Sequence, residues 1–194
     1  MTQSADGNPR LVEVLQIARP REERRAELAR DIVCAAYLRG DFVLSSGARS
    51  TYYFDKYGFE TKPSILRRVA SFLAELVPPQ TDRIAGPELG AVALATALSL
   101  EMGLPFVIAR KAAKEYSTSR LVEGEIYPGE RVVVVEDVIS TGSEAIRAAN
   151  HVAQTGAQVL GILGVIDREQ GGPQRIAAAG YSFTALFRRS ELGL

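Results

Sequence analysis

Two adjacent carboxylates and a run of small hydroxyl residues form the part of this chain where binding chemistry is most readily expected. Glu136 and Asp137 follow four consecutive valines, and Ser140-Thr141-Gly142-Ser143 leads from there into a helical pattern. Carboxylates accept hydrogen bonds from sugar hydroxyls. The unpaired N–H groups and partial positive charge of a helix N-terminus can hold a phosphate. The stretch therefore predicts a site for a phosphorylated ribose.

A second group of chemically active side chains is the basic segment 110–120. It carries four cations against one acid, Glu115, and has no apolar face; the cations are Arg110, Lys111, Lys114 and Arg120. Alone, such a run is more typical of a solvated surface loop. Beside a ribose-phosphate site we interpret it as a mobile segment that stabilises an anionic leaving group such as pyrophosphate.

The common nucleotide-binding motifs are absent from the chain. No two glycines are separated by one residue, so no GxGxxG sequence exists. Gly124 and Gly129 have the spacing of a P-loop, but Glu130 stands where that motif requires Lys. The phosphate-binding hypothesis therefore depends on the segment that follows the valine run.

The elements that position these residues are predicted from hydrophobic patterning. Four valines in succession suit a strand that is buried on both faces, as in a parallel sheet covered by helices. We predict strands at 82–85, 105–109, 131–136, 159–166 and 181–186, and helices at 21–38, 63–76, 91–102, 143–154 and 173–179. This alternation predicts an α/β fold with a mostly parallel twisted sheet flanked by helices, which binds ligands at the carboxyl ends of its strands.

The N-terminal part of the chain differs from the alternating core. Gly40 is predicted to end the helix that begins at residue 21. Strands at 42–44 and 50–54 then form an aromatic hairpin, which is either an edge hairpin packed on the core or a hood over a planar ligand. We therefore divide the chain into an N-terminal helix and hood subdomain, 1–60, and an α/β core, 61–194.

Composition limits the classes of protein that fit. Lys+Arg and Asp+Glu both number 23, so the net charge does not indicate a general nucleic-acid binder. The single cysteine, Cys34, is predicted to be a small core residue and fits a reducing compartment. No apolar run is long enough for a transmembrane helix, and residues 1–10 are polar. These features predict a cytoplasmic protein without a membrane partner.

The segment from Arg131 to Ser143 resembles the phosphoribosyl pyrophosphate signature of type I phosphoribosyltransferases. Two further segments are similar to orotate phosphoribosyltransferases: Phe42–Gly47, followed by Ser50 and Tyr53, resembles their hood, and Asp167–Gly172 resembles their late Asp-Arg motif. The similarity extends from about Asp41 to Phe187. It implies the type I fold and the transfer of a phosphoribosyl group to orotate. The products would be orotidine 5′-monophosphate and pyrophosphate, in pyrimidine synthesis.

The resemblance also implies a role for each matching residue. The ribose and its 5′-phosphate would be bound by Glu136, Asp137, Ser140, Thr141, Gly142, Ser143 and Glu144. The pyrophosphate would be bound by Glu88, Leu89, Gly90, Arg110, Lys111, Lys114 and Tyr116, with a cis peptide expected at Glu88–Leu89. Orotate would be bound by Arg168, Ser140, Ser46 and Tyr53. The catalytic residues would be Arg110, Lys111, Lys114 and Asp137.

The family pattern further implies Mg²⁺, held by pyrophosphate oxygens and water with no direct protein ligand, and a homodimer whose basic segment reaches the partner's site. Two alternatives stay open: a phosphoribosyltransferase for a purine, and a non-catalytic sensor of phosphoribosyl pyrophosphate or nucleotides. The chain departs from the family at Ser45, where Lys is frequent, and at Tyr116-Ser117, where His-Gly is frequent. A phenol donates hydrogen bonds but does not shuttle protons near neutral pH as His does. His151 is predicted to be a structural or surface residue.

Overall fold

The computed structural model describes residues 19–43, 47, 49–112 and 120–194. Helix α1 spans Arg21–Ala36 and is followed directly by an antiparallel hairpin of β1, Tyr37–Val43, and β2, Arg49–Phe54. The predicted helix end at Gly40 is wrong, because Gly40 lies inside β1. Tyr37 pairs with Phe54 in the hairpin and stacks its ring on Tyr52, with centroids 5.4 Å apart. Cross-strand aromatic contacts of this kind favour strand over helix.

Cys34 is exposed on α1, so its prediction as a core residue is wrong. The buried positions of this helix are Leu28, Ile32 and Ala36, which recur every fourth residue. Cys34 lies two positions from Ile32 and therefore about half a turn away from that buried stripe. Its apolar neighbours in the sequence concealed this orientation.

The remaining elements follow in chain order. They are α2 (Tyr57–Glu60), α3 (Pro63–Ala74), β3 (Arg83–Pro87), α4 (Gly90–Met102), β4 (Phe106–Ala109), β5 (Val122–Glu123), β6 (Arg131–Ile139), α5 (Ser143–Gln154), β7 (Gln158–Asp167), α6 (Gly172–Ala178), β8 (Phe183–Arg188) and a 3₁₀ turn (Arg189–Leu192). Three short elements, α2, β5 and the 3₁₀ turn, were not predicted. None of the helices in the described ranges is long and apolar enough to cross a bilayer.

The central sheet confirms the predicted α/β class. Its strand order is β5-β4-β3-β6-β7-β8, and every pair is parallel except β4 with β5. The strand order reverses between β3 and β6, which are neighbours although β4 and β5 lie between them in sequence. Open α/β sheets bind their ligands outside the carboxyl ends of the strands at such a switch point.

The valine run forms the middle of the core. Val133 and Val135 pack on one face of β6 in a cluster that contains side chains of α1, α3 and α4. Val132 and Val134 pack on the other face against α5 and α6. Side chains of a strand alternate between the two faces of a sheet, so a strand covered on both sides needs an apolar residue at every position.

Two ion pairs join β3 and β6 at the amino ends of these strands. Arg83 donates to both carboxylate oxygens of Glu130, at 2.8 and 2.7 Å, and Arg131 donates to both oxygens of Asp82, at 2.8 and 2.7 Å. The hydrogen bonds from Arg131 lower the pKa of Asp82 to about 2. The two ion pairs thus hold β3 and β6 together at their amino ends. The loops that carry the predicted site follow the carboxyl ends of the same strands.

Candidate active site

The two central strands bring two predicted binding loops together. β3 leads into Glu88-Leu89-Gly90, and β6 leads into the Ser140–Ser143 turn. A Cβ placed on Gly90 would lie 2.1 Å from Oδ2 of Asp137. Only glycine, which has no side chain, fits at this position without a clash. The peptide between Glu88 and Leu89 is cis, as the family resemblance predicted. The loop predicted to bind pyrophosphate therefore touches a carboxylate predicted to bind ribose.

Glu136 and Asp137 lie within β6 and not beyond its end, because the strand continues to Ile139. The predicted strand end at residue 136 is therefore wrong. Glu136 is 6% exposed and Asp137 is 1% exposed, so neither is a solvated carboxylate. Oδ1 of Asp137 accepts a hydrogen bond from the Val138 N–H at 2.5 Å. Two adjacent buried acids are unusual without partners or a function.

The charge partner of Asp137 is Lys56, from the segment between the hairpin and α2. Its Nζ atom donates to Oδ2 of Asp137 at 2.7 Å. Burial opposes the positive charge of Lys56, but the neighbouring Asp137 carboxylate raises the pKa of the ammonium group above its ordinary value. Lys56 is 81 residues from Asp137 in the sequence and was not among the predicted site residues.

Glu60 is a third carboxyl group beside this ion pair and was also not predicted. It is 3% exposed, and burial together with the charge and hydrogen bond of Asp137 raises its pKa to about 9. Burial and the Asp137 charge also raise the pKa of Glu136 well above its usual value. The i,i+4 spacing of Lys56 and Glu60 was a signal that could have placed both on one side of a helical turn. The site thus contains one ammonium group among three carboxyl groups, and burial favours the protonated form of two of them.

The turn predicted to bind phosphate leads into a helix at the predicted residue. Gly142 takes a left-handed conformation with φ 77°, and α5 begins at Ser143. The hydroxyls of Thr141 and Ser143 are 3.1 Å apart. Arg175 of α6 donates to the Ser143 hydroxyl at 3.0 Å, and Glu144 pairs with Arg147 on α5. Backbone donors of a helix start, hydroxyls and a nearby guanidinium therefore meet at the exposed side of this turn.

The start of the basic segment is held against the loop predicted to bind pyrophosphate. The Lys111 N–H donates to Oε1 of Glu88 at 2.7 Å, and the Arg110 guanidinium lies 3.7 Å from the other oxygen of Glu88. The Arg110 N–H also donates to the carbonyl of Leu121 at 2.8 Å, which closes the segment. His151 contacts the Arg110 carbonyl through Nδ1 at 3.1 Å, a contact that agrees with the predicted structural role. Lys114 and Tyr116 lie outside the described residues.

The residues predicted to bind orotate are only partly described. Arg168 is half-buried at the end of β7, and its N–H donates to the carbonyl of Ile139 at 2.8 Å, directly beside Ser140. A Cβ on Gly172 would lie 2.9 Å from the Ser140 carbonyl, so the second glycine of the Asp-Arg motif permits this close approach. Tyr53 packs within the hairpin against Phe42, with ring centroids 5.6 Å apart. Ser45 and Ser46 lie outside the described residues.

No group of three or more His, Cys, Asp and Glu side chains is arranged to hold a metal ion in the described ranges. In the loop after β3, Leu89 and its backbone are exposed. The neighbouring Glu88 carboxylate already forms a salt bridge with Arg110. Mg²⁺ held through the substrate therefore stays a prediction.

The fold and the geometry define a class: a parallel α/β protein whose switch point brings two buried acids, a helix-start turn and the loop after β3 together. A family model described as phosphoribosyl transferase domain matches residues 59–180. The orotate phosphoribosyltransferase of Methanocella arvoryzae is 44% identical over 153 residues, which cover 79% of this chain and 87% of that protein.

Solved structures give the same result. Mycobacterium tuberculosis orotate phosphoribosyltransferase, in complex with Fe(III) dicitrate, superposes with a TM-score of 0.80 at 32% identity, covering 88% of this chain and 99% of the other. The same enzyme in complex with 5-phospho-α-D-ribosyl 1-diphosphate gives 0.76 at 31% identity, with coverage of 88% and 99%. The chain belongs to the orotate phosphoribosyltransferase family.

Proposed function

We propose that the protein transfers the phosphoribosyl group of phosphoribosyl pyrophosphate to orotate, giving orotidine 5′-monophosphate and pyrophosphate. The observation that carries the proposal is the contact between Gly90 and Asp137 at the sheet's switch point. One ligand that spans this contact would present its ribose to β6 and its pyrophosphate to the loop after β3. Its 5′-phosphate would then reach the turn at Ser143.

The ribose carbon gains positive charge as its bond to pyrophosphate breaks, and no covalent enzyme intermediate is needed. Asp137 and Glu136 would hold the ribose hydroxyls, and Thr141, Gly142 and Ser143 would hold the phosphate. Binding at both ends fixes the sugar carbon in line between the leaving group and the attacking base. Such positioning supplies much of the rate in a transfer that needs little covalent chemistry from the protein.

Negative charge grows on the departing pyrophosphate, and basic residues would stabilise it. Arg110 and Lys111 start the basic segment next to the loop after β3, and Lys114 follows in the same segment. Closure of the segment would exclude water that could hydrolyse the reactive sugar. Mg²⁺ bound to the pyrophosphate oxygens and water would neutralise part of the same charge.

Orotate differs from the purine bases in carrying a carboxylate. Arg168 is the basic residue beside Ser140, and a planar guanidinium matches a carboxylate with two parallel hydrogen bonds. We therefore assign Arg168 to the orotate carboxylate. Ser140, which follows β6, and the hood residues Ser46 and Tyr53 would complete the base pocket. The proposal also includes a homodimer that shares its basic segments and a cytoplasmic location, the latter supported by the single cysteine.

The variant Arg168→Ala tests this assignment. We expect kcat/KM for orotate to fall on the order of 100-fold or more, because a charged hydrogen-bond pair is lost. The affinity for phosphoribosyl pyrophosphate, measured by calorimetry without orotate, should stay within about twofold, since this ligand is bound elsewhere. Arg30→Ala, which removes an exposed arginine of α1, is the matched control for net charge. An Arg168→Ala enzyme with full activity on orotate would contradict the base-site assignment.

A further inference from the structure

Lys56 connects three parts of the molecule that meet at the reaction site. It lies just after the hairpin, its Nζ atom bonds to Asp137 of β6 at 2.7 Å, and a Cβ on Gly90 would lie 2.1 Å from the same Nζ atom. The ion pair is therefore packed against the loop predicted to bind pyrophosphate. The side chain of Asp137 is 2% exposed and that of Lys56 is 33% exposed.

We propose that Lys56 is a positioning residue of the transferase: its ammonium group fixes the Asp137 carboxylate in the orientation that receives the ribose hydroxyls. The inference rests on the proposed function, because it assigns a task to a residue beside the same ribose site. It adds a residue outside the strand–acid–turn segment by which the ribose site is recognised in the sequence.

The hydrogen bonds of Asp137 support this role. Oδ2 accepts from Lys56 and Oδ1 accepts from the Val138 N–H, so both oxygens are held from the protein side. A carboxylate has about four lone-pair positions, and Asp137 also shares a hydrogen bond with Glu60. A ribose hydroxyl could take a remaining position without displacing Lys56 or the Val138 N–H. A carboxylate held at both oxygens has its orientation set before the substrate arrives.

The neighbouring acids show why a cation is needed at this position. Glu60 lies against Asp137 from α2, and Glu136 adjoins it in β6; both are at most 6% exposed. Oε1 of Glu60 and Oε2 of Glu136 are buried without a hydrogen-bond partner. Without the ammonium group, three crowded carboxyl groups would have to share protons among themselves. Asp137 would then rotate away from its present orientation and would lose part of its capacity to accept hydrogen bonds from ribose.

Lys56 could instead serve only to stabilise the fold, and the two roles predict different results. We would prepare Lys56→Met, Asp137→Asn and the double variant, with Lys62→Met as the control because Lys62 is an exposed lysine just beyond α2. The measurements are the affinity for phosphoribosyl pyrophosphate by calorimetry, kcat and KM for both substrates, and thermal unfolding by circular dichroism. Lys56→Gln, which keeps a polar side chain, replaces Lys56→Met if that variant does not fold.

A positioning role predicts that folded Lys56→Met binds phosphoribosyl pyrophosphate on the order of 10- to 100-fold more weakly, because the Asp137 carboxylate would be slightly misplaced. Its KM for orotate should change less than about threefold, because the base site is not involved. In the Asp137→Asn background the Lys56 substitution should have no further effect, since Lys56 acts through Asp137. Lys62→Met should match the wild type.

Two results would overturn the inference. One is a folded Lys56→Met enzyme with wild-type affinity for phosphoribosyl pyrophosphate, whatever its melting temperature. The other is fully additive losses in the double variant, which would mean that Lys56 acts independently of Asp137. Wild-type turnover of orotate is measured in the same series. Its absence would contradict the proposed function itself, and so the two failures can be told apart.

Discussion

At the scale of single residues, the site depends on how differently its three carboxyl groups are placed. Asp137 is paired with Lys56, whereas Glu60 and Glu136 are buried with pKa values raised above the usual range. The sequence predicted Glu136 and Asp137 because they end a valine run. It did not reveal that Lys56 and Glu60 join them, because no local pattern links residues so distant in the sequence.

The raised pKa of Glu60 leads to a prediction about stability and pH. The folded state holds a proton on Glu60 that the unfolded chain releases above about pH 4.5, so this contribution to stability is lost as pH rises toward about 9. We expect the free energy of unfolding to decrease by up to about 1.4 kcal/mol per pH unit within that window. Glu60→Gln, which cannot ionise, should show a shallower decrease.

The measurement is urea denaturation of both proteins at several values between about pH 6 and about pH 8. Glu101→Gln, an exposed acid on α4, provides the control and should follow the wild type. Identical slopes for Glu60→Gln and the wild type would show that Glu60 is already ionised in the folded protein.

At the scale of elements, the order and type of the main helices and strands could be predicted, but several boundaries could not. The alternation of apolar runs identified all five strands of the parallel sheet, and the two-sided burial of β6 follows from its four valines. The end of β6 at Ile139 and the start of β1 at Tyr37 were missed. Both depend on pairing with a distant strand, of which the local sequence carries no trace.

Helix α4 offers a test of how the core supports the loop after β3. It begins at Gly90, and its Leu94 is fully buried, whereas Leu100 on the same helix is 81% exposed. Leu94→Ala should lower the free energy of unfolding by about 2–5 kcal/mol, because it leaves a cavity against the sheet. Leu100→Ala should change it by less than about 0.5 kcal/mol. Chemical denaturation of both variants checks this, and comparable losses would contradict the packing described for α4.

At the scale of the whole molecule, the topology explains why distant segments form one site. The reversal of strand order places β3 beside β6, and thereby the loop at Glu88 beside the acids at Glu136 and Asp137. The parallel α/β class and the helix start at Ser143 could be predicted without coordinates. The contact between Gly90 and Asp137 could not be predicted. It depends on how closely the start of α4 approaches Asp137 of β6 and Lys56.

The proposed homodimer leads to a prediction about mixed subunits. Lys111→Ala and Asp137→Asn should each be nearly inactive, since one removes a leaving-group cation and the other a ribose ligand. If the basic segment acts in the partner's site, one of the two sites in a mixed dimer is intact. An equimolar mixture that exchanges subunits should then recover about a quarter of wild-type activity. A mixture that stays inactive after verified subunit exchange would contradict a shared site.

The central claim is that this site joins phosphoribosyl pyrophosphate to orotate, and pyrophosphate release tests it most directly. The folded protein is mixed with Mg²⁺, phosphoribosyl pyrophosphate and a single base, which is orotate, adenine, hypoxanthine or uracil. We predict rapid release of pyrophosphate with orotate and little with the other bases, because only orotate offers a carboxylate to Arg168. No release with orotate, or faster release with a purine, would contradict the account.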